Sequence, residues 1–359
     1  MRFVIVLLFL PLGEISAERA LDRTGDGLVV GLALSGGGLR STGVSYGAML
    51  ELEERGLLKR IDFISAVSGG SIVGSYYCLG LPLKEFGPKL SKNLLTTSLG
   101  KALNPKKLFN DKEDTRVIGF AEALDQVFFG NKRITELCEQ PFLLINTVNV
   151  ENASLFVFTR DGASDENLVE NGQLPQYMVS PSQLHEIQVS HAVAASSAVP
   201  TLFSSHKIKA VNQGVSKKGK RDTKTIRLID GGIFDNAGLE PLLVRKCDVI
   251  VAVDSSRSVL TKEGYTFFAP GGSKVIPITR RRYRSLLETY TKERLGDRFI
   301  HMTITDKKID EMNLFKVKLK KKELDLLVKH GRELIEENLK SIQRVLKQTE
   351  QNRPGSSER

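Results

Sequence analysis

From Leu28 onward, short apolar runs alternate with longer segments whose apolar residues recur at helical spacing. The run GLVVGLALS precedes a helical pattern from about Ser41 to Arg55, and the run IDFISAV precedes the helical pattern SIVGSYYCLG. Strands that are apolar throughout and alternate with helices are typical of a parallel sheet covered on both faces. The pattern therefore predicts an α/β fold with a central, mostly parallel sheet flanked by helices.

Residues 81–130 break this alternation, because lysines are mixed there with leucines and phenylalanines at loosely helical spacing. We expect a helical cap inserted into the domain. The later runs PFLLINTVNV, ASLFVFTR, TIRLID, DVIVAVDSS and FIHMTIT predict further strands, whereas residues 161–182 predict a loop. A single α/β domain over residues 28–310 fits this organisation better than two domains.

The C-terminal part of the chain has a different pattern. Leucines and isoleucines from Lys321 to about Lys347 are spaced as in a long amphipathic helix, so we predict a helical segment over residues 311–349. Residues 350–359 are polar, and we expect them to be a disordered tail.

The N-terminus has the layout of a secretory signal peptide. One basic residue precedes an apolar run from Phe3 to Leu12, and small residues follow at Ser16 and Ala17. The run is shorter than the about 20 apolar residues that cross a bilayer. We therefore predict a signal peptide over residues 1–17 and a secreted or periplasmic, membrane-associated protein. The alternatives for this segment are a buried first strand or a misassigned start codon, and the alternative localisation is cytoplasmic with peripheral membrane association.

The formal net charge of +10 indicates a surface that attracts anions. Residues 81–129 and the basic stretch from Lys274 to Arg284 combine cations with apolar side chains, which favours contact with an anionic bilayer. A solvated basic face is the alternative for both segments. No nucleic-acid recognition motif accompanies the charge, so we expect no nucleic-acid partner.

The three cysteines, Cys78, Cys138 and Cys247, lie far apart and include no CxxC pair. Their spacing indicates neither a zinc site nor a disulfide framework.

Three glycine-containing turns each follow a predicted strand: LSGGGLRSTG, AVSGGS and LIDGGIFDNAGLEPLL. Ligands of doubly wound sheets bind beyond the carboxyl ends of the strands, so such turns can converge on one crevice. Consecutive glycines before a helix expose N–H groups where an oxyanion is favoured. The first turn lacks both the third glycine of G-x-G-x-x-G and the lysine of a P-loop, which argues against a nucleotide site.

The second turn places Ser68 between small residues at the end of an apolar run, similar to the nucleophile elbow G-x-S-x-G. An elbow holds its nucleophile in a strained conformation that bulky neighbours would block. Ala66 stands in the place of the first glycine, so a plain structural bend is the alternative at this point.

The motifs GGGLR, VSGGS and DGGIFDN, in this order and with SHAVAASSAVPTLFS between the last two, resemble the patatin-like phospholipases and the related cytosolic phospholipases A. The resemblance covers roughly residues 28–255. It implies a patatin-like three-layer fold and a lipid acyl hydrolase with a Ser–Asp dyad, a glycine-rich oxyanion hole, and no metal or cofactor. The family includes members that need a protein activator. Ser35 stands where patatins proper usually have aspartate, which points to the cytosolic type.

Carried over residue by residue, the resemblance implies a complete catalytic site. Its residues are the nucleophile Ser68, the base Asp230, the oxyanion-hole amides of Gly36, Gly37 and Gly38, and the supporting residues Arg40, Gly69, Gly231 and Gly232.

Two other functions stay open on the sequence. Ser68, Asp254 and His301 follow one another as in an α/β-hydrolase triad, although His301 falls inside a predicted strand. A catalytically inactive lipid- or membrane-binding protein with the same fold is the other alternative, which Ala66 invites. Asp235 and Asn236 are interpreted as a helix N-cap before AGLEPLL rather than as part of the site.

Overall fold

The computed structural model describes residues 22–96, 115–166, 176–200, 202–213, 222–256, 275–312 and 319–351. The predicted signal peptide, part of the predicted cap and most of the predicted disordered tail lie outside these ranges. Residues 350 and 351, at the start of that tail, belong to the last helix.

Ten strands of the described residues form one sheet. They are β1 Val30–Leu34, β2 Phe63–Val67, β3 Phe142–Asn149, β4 Ser154–Phe158, β5 Ala163–Glu166, β6 Tyr177–Met178, β7 His206–Asn212, β8 Thr223–Asp230, β9 Val249–Asp254 and β10 Phe299–Thr303.

Helices connect and cover these strands. They are α1 Gly38–Glu54, α2 Gly69–Cys78, α3 Leu83–Thr96, α4 Thr115–Leu124, α5 Pro181–Leu184, α6 Val189–Ser196, α7 Glu240–Val244, α8 Val275–Leu295, α9 Lys307–Asp310 and α10 Lys321–Gln351. Within the described ranges, none of them combines the length and the apolar character needed to cross a membrane.

The sheet is mixed, with the order β10-β9-β1-β2-β3-β4-β5-β6-β7-β8 and a further pairing of β8 with β3. The five strands from β10 to β3 are parallel, and every later pairing is antiparallel. The predicted mostly parallel sheet is therefore not confirmed. The connection between β3 and β4, residues 150–153, is too short for a parallel crossover, which needs about a dozen residues. Strands β5 and β6 also lie in the segment that was expected to be a loop.

The parallel strands are buried on both faces, as their uninterrupted apolar runs predict. Leu32 and Leu34 of β1 belong to one apolar core together with α1, α2 and α10, whereas Ala33 belongs to a second core. Leu242 of α7 and Leu287 of α8 complete that second core. The sheet thus lies between two helical layers, which confirms a three-layer arrangement.

The described part of the predicted cap is helical and packs through aromatic rings on the helices beside it. Phe86 of α3 lies 5.1 Å, centroid to centroid, from both Tyr46 of α1 and Tyr76 of α2. Phe128, in the π-helical turn after α4, stacks on Phe86 at 4.9 Å. Because α2 starts directly after Ser68, the cap is joined to the helix that carries the candidate nucleophile.

The predicted amphipathic C-terminal helix, α10, lies against α1 so closely that the backbones touch. A methyl group on Gly47 would be 2.0 Å from the Val328 carbonyl oxygen, and one on Gly331 would be 2.0 Å from the Val44 carbonyl oxygen. Only glycine allows this approach, because real Cβ atoms do not come that near to backbone oxygens. The contact holds α10 on the layer that includes the glycine-rich loop before α1.

We expect Gly47→Ala to lower the free energy of unfolding by about 1–3 kcal/mol, since α1 and α10 must separate to admit the methyl group. Gly119→Ala is the matched control. Gly119 lies in α4 with nothing within 4 Å of an added methyl group, so alanine should stabilise the helix by up to about 1 kcal/mol. Chemical denaturation of both variants measures the difference, and equal effects would contradict the packing described.

Candidate active site

The pairing of strands along β3 brings Ser68 and Asp230 together. Val67, the last residue of β2, pairs with Asn146, and Asp230, the last residue of β8, pairs with the next residue, Thr147. Strand β4 pairs with the opposite edge of β3 over the same residues. Strand β8 therefore pairs with the edge along which β2 has just ended. Because β2 and β8 run in opposite directions, the residue after β2 and the last residue of β8 lie next to each other along this edge.

Ser68 sits on a strained turn between β2 and α2. Its backbone has φ 49° and ψ −118°, a left-handed conformation that costs a non-glycine residue about 1–3 kcal/mol. The turn is held by hydrogen bonds. The Ser68 N–H donates to Ser196 Oγ at 2.8 Å, and the Ser71 N–H and hydroxyl donate to the Ser68 carbonyl at 3.0 and 2.6 Å. This is the geometry of a nucleophile elbow rather than of an ordinary bend.

Ala66 fits this elbow without a glycine. Its side chain is buried in β2, and its Cβ lies 3.4 Å from where a methyl group on Gly74 would be. Helix α2 therefore passes over Ala66 at Gly74, and the absence of a side chain on Gly74 leaves space for the alanine methyl group.

Gly69 and Gly70 bring the serine turn against the glycine-rich loop after β1. A methyl group on Gly69 would lie 2.1 Å from the Gly38 carbonyl oxygen, and one on Gly70 would lie 2.5 Å from the Leu34 carbonyl oxygen. The predicted supporting role of Gly69 is therefore steric, since it allows two backbones to touch beside Ser68.

Within the glycine-rich loop, the three predicted oxyanion donors differ. The Gly36 N–H already donates to the Asn236 carbonyl oxygen at 2.9 Å. The N–H groups of Gly37 and Gly38 donate to no acceptor among the described residues. Both have positive φ, 149° and 61°, and α1 begins at Gly38, so their amides lie at the positive end of the helix dipole.

Arg40 ties this loop to the segments around it. Its side chain is 2% exposed. The guanidinium donates to the Ser255 carbonyl at 2.5 Å and to the Asp310 carbonyl at 3.1 Å. Ser35 adds a second link, because its hydroxyl accepts the Ser255 N–H at 2.7 Å. The loop is thus fixed to the segment after β9 and to α9.

Asp230 is 5% exposed and caps the 3-10 turn Gly231–Ile233, with Oδ1 accepting the Gly232 N–H at 2.7 Å. Both glycines of the turn are required by close contacts. A methyl group on Gly231 would lie 2.3 Å from the Asn146 carbonyl oxygen, and one on Gly232 would lie 2.3 Å from Asn236 Oδ1. The turn therefore packs its backbone against β3 beside the aspartate.

Asn236 joins the aspartate turn to the glycine-rich loop, a role that the sequence interpretation missed. Its Nδ2 donates to the Gly36 carbonyl at 3.2 Å and to Ser256 Oγ at 2.6 Å, while its carbonyl accepts the Gly36 N–H. The signal was the asparagine inside DGGIFDN, which was assigned to a helix cap together with Asp235.

Asp235 does not take the predicted N-cap position, which belongs to Leu239 and has no side-chain cap hydrogen bond. Its carboxylate accepts the N–H groups of Ala237, Gly238 and Glu240 at 3.2, 3.0 and 2.7 Å, in the turn that leads into α7. Burial raises the pKa of Asp235 to about 7, against the effect of the three N–H donors. The hydrogen bonds of its carboxylate run toward α7, so this residue organises the chain after the site.

The alternative triad has the wrong spatial order. His301 Nε2 lies 3.1 Å from Asp254 Oδ2, so this pair exists. However, β9 lies between β10 and β1, which places Asp254 between His301 and the strand of Ser68. At about 4.8 Å per strand, β2 is about 10 Å from β9 and about 14 Å from β10. A serine triad needs the histidine between aspartate and serine, so this arrangement argues against a Ser–His–Asp esterase.

Asp254 and His301 belong instead to an ion-pair cluster. Burial raises the pKa of Asp254, but hydrogen bonds and the positive charge of Arg284 outweigh burial and hold it below its ordinary value. Asp254, Glu288 and His301 are close enough to share a metal ion. The Arg284 guanidinium already bonds to both carboxylates, at 2.6 Å each, and so supplies the positive charge that a metal would bring.

The fold resembles solved structures of human GIVD cytosolic phospholipase A2. The free enzyme superimposes with a TM-score of 0.57 at 13% sequence identity, covering 94% of this chain and 63% of the human one. The human enzyme in complex with methyl gamma-linolenyl fluorophosphonate gives a TM-score of 0.55 at 14% identity, covering 94% and 62%. At this identity the likeness concerns the fold, and the chain spans less than two thirds of the human structure.

Comparison by sequence gives two further results. No curated protein matches the chain. The family model for the patatin-like phospholipases matches residues 32–243, which is more than half of the chain and includes all three glycine turns. The chain therefore belongs to the patatin-like phospholipase family.

Proposed function

We propose that this protein is a serine acyl hydrolase that cleaves ester bonds of phospholipids through a dyad of Ser68 and Asp230. One observation carries the proposal: consecutive positions of β3 pair with the residue before Ser68 and with Asp230. The family supports a lipid ester hydrolase in general terms. The human structure that holds a fluorophosphonate is consistent with a serine nucleophile in this fold, since fluorophosphonates react with activated serines.

In this mechanism, Ser68 Oγ attacks the ester carbonyl carbon and Asp230 takes the hydroxyl proton. The bond to the leaving alcohol breaks, the alcohol receives that proton, and the acyl group stays on Ser68. Water then attacks the acyl carbon of the acyl-enzyme while Asp230 accepts a proton from it. The bond to Ser68 Oγ breaks, Asp230 returns the proton to Oγ, and the fatty acid is released. The Gly232 N–H bound to Asp230 Oδ1 fixes the orientation of the carboxylate.

We assign the oxyanion hole to the N–H groups of Gly37 and Gly38, and a supporting role to Gly36. The Gly36 N–H is bound to Asn236, whereas the other two amides lie at the start of α1 without an acceptor in the described part of the chain. Preorganised amides of this kind contribute about 2.7–4 kcal/mol each to lowering the barrier of acyl transfer.

We propose a lipid surface as the place where the substrate is met. The formal net charge of +10 favours anionic bilayers. Helix α8 exposes Leu286 and Tyr290, which are 51% and 44% accessible and one turn apart, near the exposed Arg281 and Arg282. Apolar and cationic side chains on one helix are suited to the interface of a membrane.

Ser68→Ala and Asp230→Asn should each lower the release of fatty acid from phospholipid vesicles by at least about a thousandfold, because each removes one member of the dyad. His301→Ala should keep most of the activity, since His301 lies beyond Asp254. A lipid hydrolysis assay with purified variants measures this. Activity that survives Asp230→Asn but is lost in His301→Ala would contradict the dyad.

A fluorophosphonate probe should label the unmodified protein on Ser68 and leave Ser68→Ala unlabelled. Mass mapping of the labelled peptide identifies the residue. A protein that only binds lipid would bind vesicles but would not be labelled. That result would favour the non-catalytic, lipid-binding alternative over the hydrolase.

Ser196→Ala should lower both the stability of the protein and its catalytic rate. It leaves the buried Ser68 N–H without its acceptor, which costs about 1–3 kcal/mol of stability. It also removes a hydrogen bond that holds the Ser68 turn in position, so kcat should fall about tenfold or more with little change in KM. Ser190→Ala is the control on the same helix, because the buried Ser190 hydroxyl has no hydrogen-bond partner among the described residues. Equal kcat values for the two variants would speak against positioning by Ser196.

A further inference from the structure

Two cysteines that are far apart in the sequence are neighbours in the structure. Cys78 is the last residue of α2, and Cys138 lies in the turn that leads into β3. The Cys138 N–H donates to the Cys78 carbonyl oxygen at 2.6 Å, so the two backbones lie side by side. Both sulfurs are also directed to one atom, the Pro141 carbonyl oxygen, at 3.6 Å from Cys78 Sγ and 3.2 Å from Cys138 Sγ.

The two thiols also interact electrostatically, and their surroundings differ. Each thiol shifts the pKa of the other. Cys78 is fully buried, whereas Cys138 is half-buried and reachable from solvent. Cys247 cannot join them, because it is buried in the core on the opposite face of the sheet.

We propose that Cys78 and Cys138 are a modification site, at which a low-molecular-weight disulfide oxidises the two thiols to an intramolecular disulfide. The site is separate from the candidate active site and does not depend on its chemistry.

The different exposure of the two sulfurs sets the order of the oxidation steps. The Cys138 thiolate attacks one sulfur of a disulfide such as oxidised glutathione, forms a mixed disulfide and expels the first glutathione thiolate. Cys78 then gives its proton to that thiolate and attacks Cys138 Sγ. This breaks the mixed disulfide and releases the second glutathione. Two protein thiols lose two electrons in total, and one glutathione disulfide becomes two thiols.

The electrostatics of the pair agree with this division of roles. The neighbouring Cys78 thiol lowers the pKa of Cys138, although partial burial acts against it. Burial raises the pKa of Cys78. The accessible sulfur is therefore the better nucleophile toward a reagent in solution, and the buried one reacts only with its neighbour.

The disulfide would connect the far end of the nucleophile helix to the start of β3. Helix α2 begins immediately after Ser68, and β3 carries the residues that pair with the ends of β2 and β8. Such a bond restricts the unfolded chain more than the folded one, so the oxidised protein should unfold at a higher temperature.

The test uses the full chain, incubated with oxidised glutathione and then unfolded for titration of its thiols. We expect the number of free thiols to fall from the three cysteines of the sequence to one, with a Cys78–Cys138 cross-linked peptide in the mass map. The melting temperature should rise by roughly 5 °C and return to its starting value after dithiothreitol.

Two variants make the result specific. Cys247→Ser should form the cross-link as the unmodified protein does. Cys138→Ser changes a half-buried side chain, should fold, and should keep both remaining thiols free after oxidation. Three free thiols in the oxidised protein, a persistent glutathione adduct on Cys138, or a cross-link that includes Cys247 would each overturn the proposal.

Discussion

The candidate site depends on one edge of β3, which two strands share from opposite directions. Strand β2 pairs with β3 as far as Asn146, and β8 takes over the same edge from Thr147. Neither strand can extend further without entering the place of the other, so both chains must turn away there. The two turns carry Ser68 and Asp230. A serine and an aspartate far apart in the sequence are thereby held at one point by backbone hydrogen bonds, which are far less variable than side-chain contacts.

The glycines of the three motifs allow the backbones to approach each other closely, and this role is as important as their part in the chemistry. Gly69 touches the Gly38 carbonyl, Gly70 touches the Leu34 carbonyl, and Gly231 touches the Asn146 carbonyl. A side chain at any of these positions would push two turns apart. Because acyl transfer depends on groups placed within a fraction of an ångström, this close packing is a condition for the proposed reaction. The amides of the glycine-rich loop are then held by Asn236 and Arg40.

Much of this architecture follows from the sequence for physical reasons. Apolar runs of five or more residues lead to strands buried on both faces, and helix α1 lies within a few residues of the predicted bounds. The antiparallel half of the sheet was not predictable in the same way, because β5 and β6 are short and lack a continuous apolar run. Their place in the sheet comes from pairing with neighbours, and pairing is not encoded in a local period.

At the site, the residues with the required chemistry and the turns that need glycine can be identified from the sequence alone, since both depend on local composition and backbone conformation. How these residues are used depends on the tertiary structure. It showed that Gly36 is bound by Asn236, that Ala66 is accommodated by Gly74, and that Asp254 separates His301 from the strand of Ser68. It also brought Cys78 and Cys138 together. These relations depend on contacts between distant segments, and such contacts exist only once strand order and register are set.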